Sequence, residues 1–363
     1  MTTILEYLQT LIEFYPATNQ QAHVRELLEY CAHELDQSGS FKDVKIHEIN
    51  GVHSLTASTQ GTQKPKVLLQ AHVDVVPADE SSRSVKQLSP AEIGGRGVYD
   101  MLFGAACYLY FVQQHRDELS KLDFGLMLTG DEEAGGFDSA ESLIKLGYCG
   151  DVCILPDAGN GFGDLSVAAK GIYNFDFMVN GKAHHGSRPW EGDNAADKLV
   201  RALTDLGVVF DASSRQNSTL TISRLEAGDA DNKGPGLAKA RLDIRYKDQA
   251  DLKRIKDELE KLYKKYDAEA LNLTYGSDYQ LDIDVPLVRS FVELYAEHVG
   301  KAVTFSQAYG SSDARFFAEA GVPVIMLRPE GSGAHADDER VNVNEIEKCY
   351  KLIEDYLMRV AKT

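Results

Sequence analysis

Apolar residues recur at helical spacing in ILEYLQTLIEF and again in QAHVRELLEYCAHELD, predicting two amphipathic helices over roughly Thr3 to Phe14 and Asn19 to Asp36. The period then changes. KDVKIHEI, KVLLQAH, FGLMLTG and DVCILP are apolar runs of strand length, and helical stretches after Phe103 and Ser139 separate the later ones. Such βαβ alternation predicts a largely parallel sheet in an α/β domain. From Ile172 the pattern shifts again: IYNFDFMVNG alternates like a half-exposed antiparallel strand, a helix starts at Asn194, and the strands STLTISRL and AKARLDIRY precede the charged helix ADLKRIKDELEKLYKKYDA. This order, strand-helix-strand-strand-helix-strand, predicts a small α+β insert over residues 172–283. Afterwards the α/β pattern resumes with helix LVRSFVELYAEHVG, strand AVTFSQA, helix DARFFAEAG, strand VPVIML and a final helix from Asn342. The first domain is therefore expected in two segments, 1–171 and 284–363.

Composition narrows the class. A chain of 363 residues with 43% hydrophobic and 26% charged positions can bury two cores. Its formal charge of −18 repels phosphate backbones and anionic bilayers, so neither nucleic acid nor membrane is an expected partner. No run reaches the ~20 apolar residues of a membrane-spanning helix, and the N-terminus lacks the basic region of a signal peptide. The five cysteines are scattered and without C-x-x-C spacing, as expected of buried thiols in a reducing compartment. The expectation is a cytoplasmic protein.

Open parallel sheets bind ligands beyond the carboxyl ends of their strands, which gives polar residues there particular weight. His72 and Asp74 follow KVLLQ, Glu132 and Glu133 follow FGLMLTGD, and Asp157 follows VCILP; Asp100 sits in the glycine-rich GGRGVYDMLFG and His335 in GSGAHADDERV. Singly, a carboxylate is most often merely solvated. Together, two imidazoles and at least three carboxylates form a nitrogen and oxygen donor set suited to zinc, cobalt or manganese, and their mutual repulsion calls for cations among them.

The series HVDVVPA, GRGVYDM, GDEEAGG, PDAG, GKAHHGSRPWEGDNA, SDARFFAEAGVPVI and HADDERV, in order from Leu68 to Val343, resembles the di-zinc amidohydrolase family of acetylornithine deacetylase, succinyl-diaminopimelate desuccinylase, glutamate carboxypeptidase and the carnosine-type dipeptidases. The resemblance implies a zinc-peptidase-like, three-layer α/β catalytic domain interrupted by a ferredoxin-like α+β domain that serves as lid and dimerisation surface. It implies that His72, Asp100, Glu133, Asp157 and His335 hold two divalent ions, zinc or alternatively cobalt or manganese, with Asp100 bridging them. Asp74 would accept the other ring N–H of His72, which accounts for the two-residue spacing, since residues i and i+2 of an extended segment point the same way.

Glu132 would be the general base as a metal-bridging hydroxide attacks an amide carbonyl; it also reads as a cap of the next helix. In the lid, His185 would polarise the substrate carbonyl and Asn232 would contact the substrate, while His184 reads as a surface residue. Arg315 would either grip a substrate carboxylate or start a helix and pair locally. The chain departs from the family at Leu102-Phe103-Gly104, where Lys-Gly-Gly is usual, at Ala71, where a glycine is usual, and at NKGPG, which replaces a more apolar asparagine motif; none of these removes a ligand.

Aspartate at position 157 agrees with the family's dipeptidases and aminopeptidases, whereas its carboxypeptidases and deacylases have glutamate. The expected activity is hydrolysis of dipeptides or other short peptides, with N-acyl amino acid deacylation or carboxypeptidase action as the alternative, by a homodimer formed through the lid. A non-catalytic peptide-binding relative is the reading from another class, and the complete set of ligand and base residues speaks against it.

Overall fold

The computed structural model describes residues 2–362, which divide into two compact units. One comprises residues up to 168 together with 280–308 and the residues from 312 onward; the other comprises 169–279 with 309–311.

The first unit is built on a six-stranded sheet in the order Asp43–Ile49, Val52–Ser58, Phe124–Thr129, Val67–His72, Val152–Ile154, Val324–Ile325. The last four strands run parallel, and the first two form an antiparallel hairpin at the edge. Strands Val67–His72 and Phe124–Thr129 are buried at every position, as their continuous apolar runs require of strands covered on both faces. Helix Leu102–Gln114 is apolar nearly all round and buried from Leu102 to Leu109, so it packs as an interior helix. Helix Ile4–Glu13, held at its start by a Thr3 and Glu6 capping box, and helix Val343–Val360, capped by Asn342, both lie against it.

The hairpin strand Val52–Ser58 has no counterpart among the expected elements. AVTFSQA forms a strand, Thr304–Ala308, but pairs with Asp164–Ala169 in a separate small sheet. A further four-stranded sheet, ordered Gly331–Ser332, Arg340–Asn342, Glu92–Gly94, Lys86–Ser89, joins the Asp100 segment to the His335 segment.

The second unit is a four-stranded antiparallel sheet ordered Thr219–Ala227, Leu237–Tyr246, Gly171–Asn180, Ala268–Gly276, with helices Ala195–Gly207 and Gln249–Tyr266. In the order of its own strands this is 2-3-1-4, the ferredoxin-like arrangement. Alternation decides the buried face: Tyr173, Phe175, Phe177 and Val179 meet Ala238, Ala240, Leu242 and Ile244, and Leu199, Ala202, Leu206, Leu252, Ile255 and Leu259 cover them from the helices. Asn194 and Asp248 cap the two helices by accepting backbone N–H groups of their first turns.

Candidate metal centre

Three neighbouring parallel strands deliver the first donors. His72 is the last residue of its strand and stands in register with Thr129, so the Glu132 and Glu133 turn emerges beside it, while Asp157 follows Val152–Ile154 on the other side. Asp100 lies one residue before Met101, the N-cap of the helix that starts at Leu102, and its peptide bond to Met101 is cis. His335 belongs to a loop between two strands of the small sheet and has φ +65°, a left-handed conformation that is uncommon outside glycine and, among other residues, favours Asn, Asp and His.

The fold brings all five together. Asp100 presents Oδ1 to His72 Nε2 at 3.3 Å and Oδ2 to His335 Nε2 at 3.3 Å. His72 Nε2 lies 3.9 Å from Asp157 Oδ1, and His335 Nε2 lies 2.9 Å from Glu133 Oε2. Donor atoms of His72, Asp100 and Glu133 all fall within 4.8 Å of one another. Each imidazole thus has one carboxylate of its own and shares the third.

Asp74 is fully buried, and its carboxylate accepts from Thr18 Oγ1 at 2.8 Å and from the backbone N–H groups of Glu132 and Glu133 at 3.1 and 3.2 Å. The acceptor within hydrogen-bond reach of His72 Nδ1 is the Asp74 backbone carbonyl at 3.0 Å, whereas the carboxylate stands 3.6 Å away. The Asp74 backbone carbonyl thus lies nearest the ring, while the carboxylate stands beside it and ties the first strand end to the Glu132 turn. Gln21 adds a second tie, donating to the carbonyl of Gly130 at 2.7 Å.

The electrostatics are those of crowded anions. Burial, with the charge of Asp100, pushes Asp157 up to about 7, and burial likewise pushes Glu133 up to about 7. Burial, reinforced by Asp157, Asp313 and Glu133, raises Glu132 well above the usual carboxylate value against the opposing charge of His72. Burial alone would strip the proton from His72, but the Asp100 and Asp74 carboxylates overcome it and hold the ring well above 6.5. A field that so favours a proton on these imidazoles equally favours divalent cations between them. Imidazole and carboxylate donors fit zinc, cobalt or manganese, so the residues present suit the ions expected of them.

The remaining expected residues fall elsewhere. His185 and Asn232 are exposed in the second unit, where Gly186 N–H donates to the Asn232 carbonyl at 2.6 Å and His185 pairs in register with Lys233. Arg315 does not reach outward for a substrate. It is 5% exposed, lies in the first turn of helix Ala314–Glu319, donates to the carbonyls of Gly135 and Ser312, and lies over the Phe316 ring at 4.4 Å. Burial under the Glu132 turn corrects the substrate-gripping reading and agrees with local pairing. Glu132 begins a single 3-10 turn ending at Ala134, rather than capping a full helix.

Three participants escaped the sequence reading. Thr18 lies in a loop between helices with nothing in its surroundings to mark it. Arg328 donates to the carbonyls of Gly159 and Asp157 at 3.1 and 3.4 Å and stacks 4.3 Å from the Tyr99 ring centre, setting a positive charge beside Asp157. Glu339 stood within HADDERV, and only its position after His335 hinted at a part in the site.

Residues 68–359 match peptidase family M20/M25/M40. The chain is similar to a succinyl-diaminopimelate desuccinylase of Sulfurovum sp. (strain NBC37-1), 27% identical over 321 residues that cover 84% of this chain and 86% of that relative. Another succinyl-diaminopimelate desuccinylase, from Rickettsia bellii (strain OSU 85-389), is 26% identical over 380 residues covering 97% and 95%. In fold, the chain is similar to a tripeptidase from Staphylococcus aureus subsp. aureus mu50, with a TM-score of 0.79 at 20% identity over 99% of this chain and 98% of that one. The chain therefore belongs to peptidase family M20/M25/M40 and is a metal-dependent hydrolase of peptide or amide C–N bonds.

Proposed function

We propose that this protein is a two-metal hydrolase that cleaves the peptide bond of dipeptides or other short peptides. The observation that carries the reading is the division of Asp100, one oxygen toward each imidazole, with Asp157 and Glu133 completing the two sides. His72, Asp100 and Asp157 would hold one ion and His335, Asp100 and Glu133 the other. Bound there, two divalent ions, zinc in the first instance, would polarise the scissile carbonyl and acidify the attacking water.

The chain's own contribution is proton handling and alignment. Glu132 makes neither of these imidazole contacts, which leaves its carboxylate to take a proton from water and pass it to the leaving nitrogen. Asp74 fixes the backbone of Glu132 and Glu133 against the His72 strand end, so base and ligand keep one spacing. His185 would donate to the developing oxyanion and Asn232 would contact the substrate, in a homodimer formed through the inserted unit.

A second reading, removal of an acyl group from an N-acyl amino acid, is favoured by the two curated relatives, both named as desuccinylases. Aspartate at 157 favours the peptidase reading. A panel of dipeptides, tripeptides, C-terminally blocked peptides and N-succinyl or N-acetyl amino acids, offered to zinc- or cobalt-loaded protein, separates them. Cleavage that requires a free substrate amine supports the peptidase, and preference for acylated amines overturns it. Glu132→Ala should retain the metal content of wild type and lose turnover by several orders of magnitude; retained turnover sinks the assignment of Glu132.

A further inference from the structure

The loop that presents Asp100 closes around a single side chain. Glu339 is 2% exposed, and its carboxylate accepts from the backbone N–H of Gly97 at 3.0 Å to each oxygen, of Tyr99 at 2.9 Å and of Asp100 at 3.1 Å. Arg96 Nη1 supplies the counter-charge at 2.7 Å, and the Glu339 carbonyl accepts from Gly95 N–H at 3.1 Å. Gly95 and Gly97 have φ +148° and +85°, backbone conformations that allow successive amides to turn toward one anion. The result is an anion-binding nest whose occupant is an internal glutamate.

The position of that glutamate matters more than its burial. His335 lies four residues before it, and the imidazole side chain is 57% exposed, so packing does little to hold the ring. Asp100, whose own N–H is gripped by Glu339, must keep 3.3 Å to both imidazoles.

We propose that Glu339 is a positioning residue that locks the Asp100 loop to the His335 loop and so sets the spacing of the shared carboxylate between the two imidazoles. The inference rests on the two-metal reading above. A carboxylate gripped by three backbone amides cannot be replaced by an amide side chain, whose NH2 end would face donors.

Full-length wild type, Glu339→Gln and Glu339→Asp, stripped with chelator, are titrated with cobalt(II) by calorimetry and by visible absorption, alongside Asp338→Asn as an exposed neighbour. Wild type should take up two ions per chain. Glu339→Gln should bind at least one ion about 10- to 100-fold more weakly, with an altered ligand-field spectrum, at a temperature where circular dichroism shows it folded. Should it not fold, Glu339→Asp, which keeps the charge at shorter reach, should show the weakened binding. Asp338→Asn should match wild type. A folded Glu339 variant with wild-type affinity and spectrum, or an Asp338→Asn protein as impaired as Glu339→Gln, overturns the positioning role while leaving the two-metal reading in place. A wild type that holds no cobalt overturns both.

Discussion

Arg315 shows how the surroundings of a side chain decide its chemistry. An arginine in the open can fork onto a carboxylate; here the guanidinium is enclosed by Phe137 and Phe316, with Nη2 donating to the carbonyl of Gly135 and Nη1 to that of Ser312. The neighbouring Gly136 has φ +67°, and a Cβ there would lie 2.1 Å from Asp313 Oδ1, so the turn that carries Glu132 and Glu133 is fitted closely onto this loop. Arg315→Lys should therefore lower kcat by about 10- to 100-fold, the equivalent of a charge-assisted hydrogen bond of about 1.5–3 kcal/mol, and leave KM nearly unchanged. Steady-state kinetics decides the matter, because loss of a substrate grip would appear mainly in KM. At this scale His72, Asp100, Glu133, Asp157 and His335 stand out in the sequence because their residue types at strand ends and glycine loops are those of donors, and the fold places them side by side. Thr18 and Glu339 do not stand out, because their partners are a carboxylate far along the chain and backbone amides, and neither leaves a mark in residue type or spacing.

Among the elements, the clasp between helices Leu102–Gln114 and Val343–Val360 has a pH signature. Glu354 accepts from Lys351, from His115 Nε2 at 2.6 Å and from Tyr350 Oη at 2.8 Å. Burial alone would raise its pKa, but these partners outweigh it and hold the carboxyl below 4.5. A carboxyl with a lowered pKa in the folded state adds stability that is present above about 4.5 and lost as pH falls through the folded value. Glu354→Gln should cost about 1.5–3 kcal/mol at pH 7, and the gap in melting temperature from wild type should close below pH 4; a gap independent of pH contradicts the assignment. The elements themselves were mostly legible, since helical and alternating periods mark buried faces directly. Strand Val52–Ser58 was not, because polar residues lie in its buried half: Ser54, Thr56 and Ser58 are all nearly inaccessible, and His47 satisfies Thr56 Oγ1 across the hairpin at 2.8 Å. Where polar groups pair with each other, the apolar alternation that betrays a strand is absent.

In the whole molecule, every candidate ligand belongs to one of the two units, and among the described residues no helix is long and apolar enough to cross a membrane. Cations that bind only the folded first unit should stabilise it by mass action, about 2.7 kcal/mol at a hundredfold excess over Kd. Hydrogen exchange measured with zinc and with chelator should accordingly differ in residues 68–75, 96–101, 130–135, 154–159 and 331–339 and agree across 171–276; a uniform change would contradict a site confined to the first unit. The change and return of the hydrophobic period are the sequence's mark of an insert that carries its own core, and the compact units divide at residues 168 and 280. That division also imposes an order of events on synthesis. His72, Asp100, Glu133 and Asp157 leave the ribosome with the first segment, whereas His335 and Glu339 follow only after the entire insert. The last donor must close a loop of very high sequence separation before any ion rewards it. A chain that stops at the end of the insert therefore lacks strand Val324–Ile325 and both His335 and Glu339, and with them one side of the proposed two-metal site.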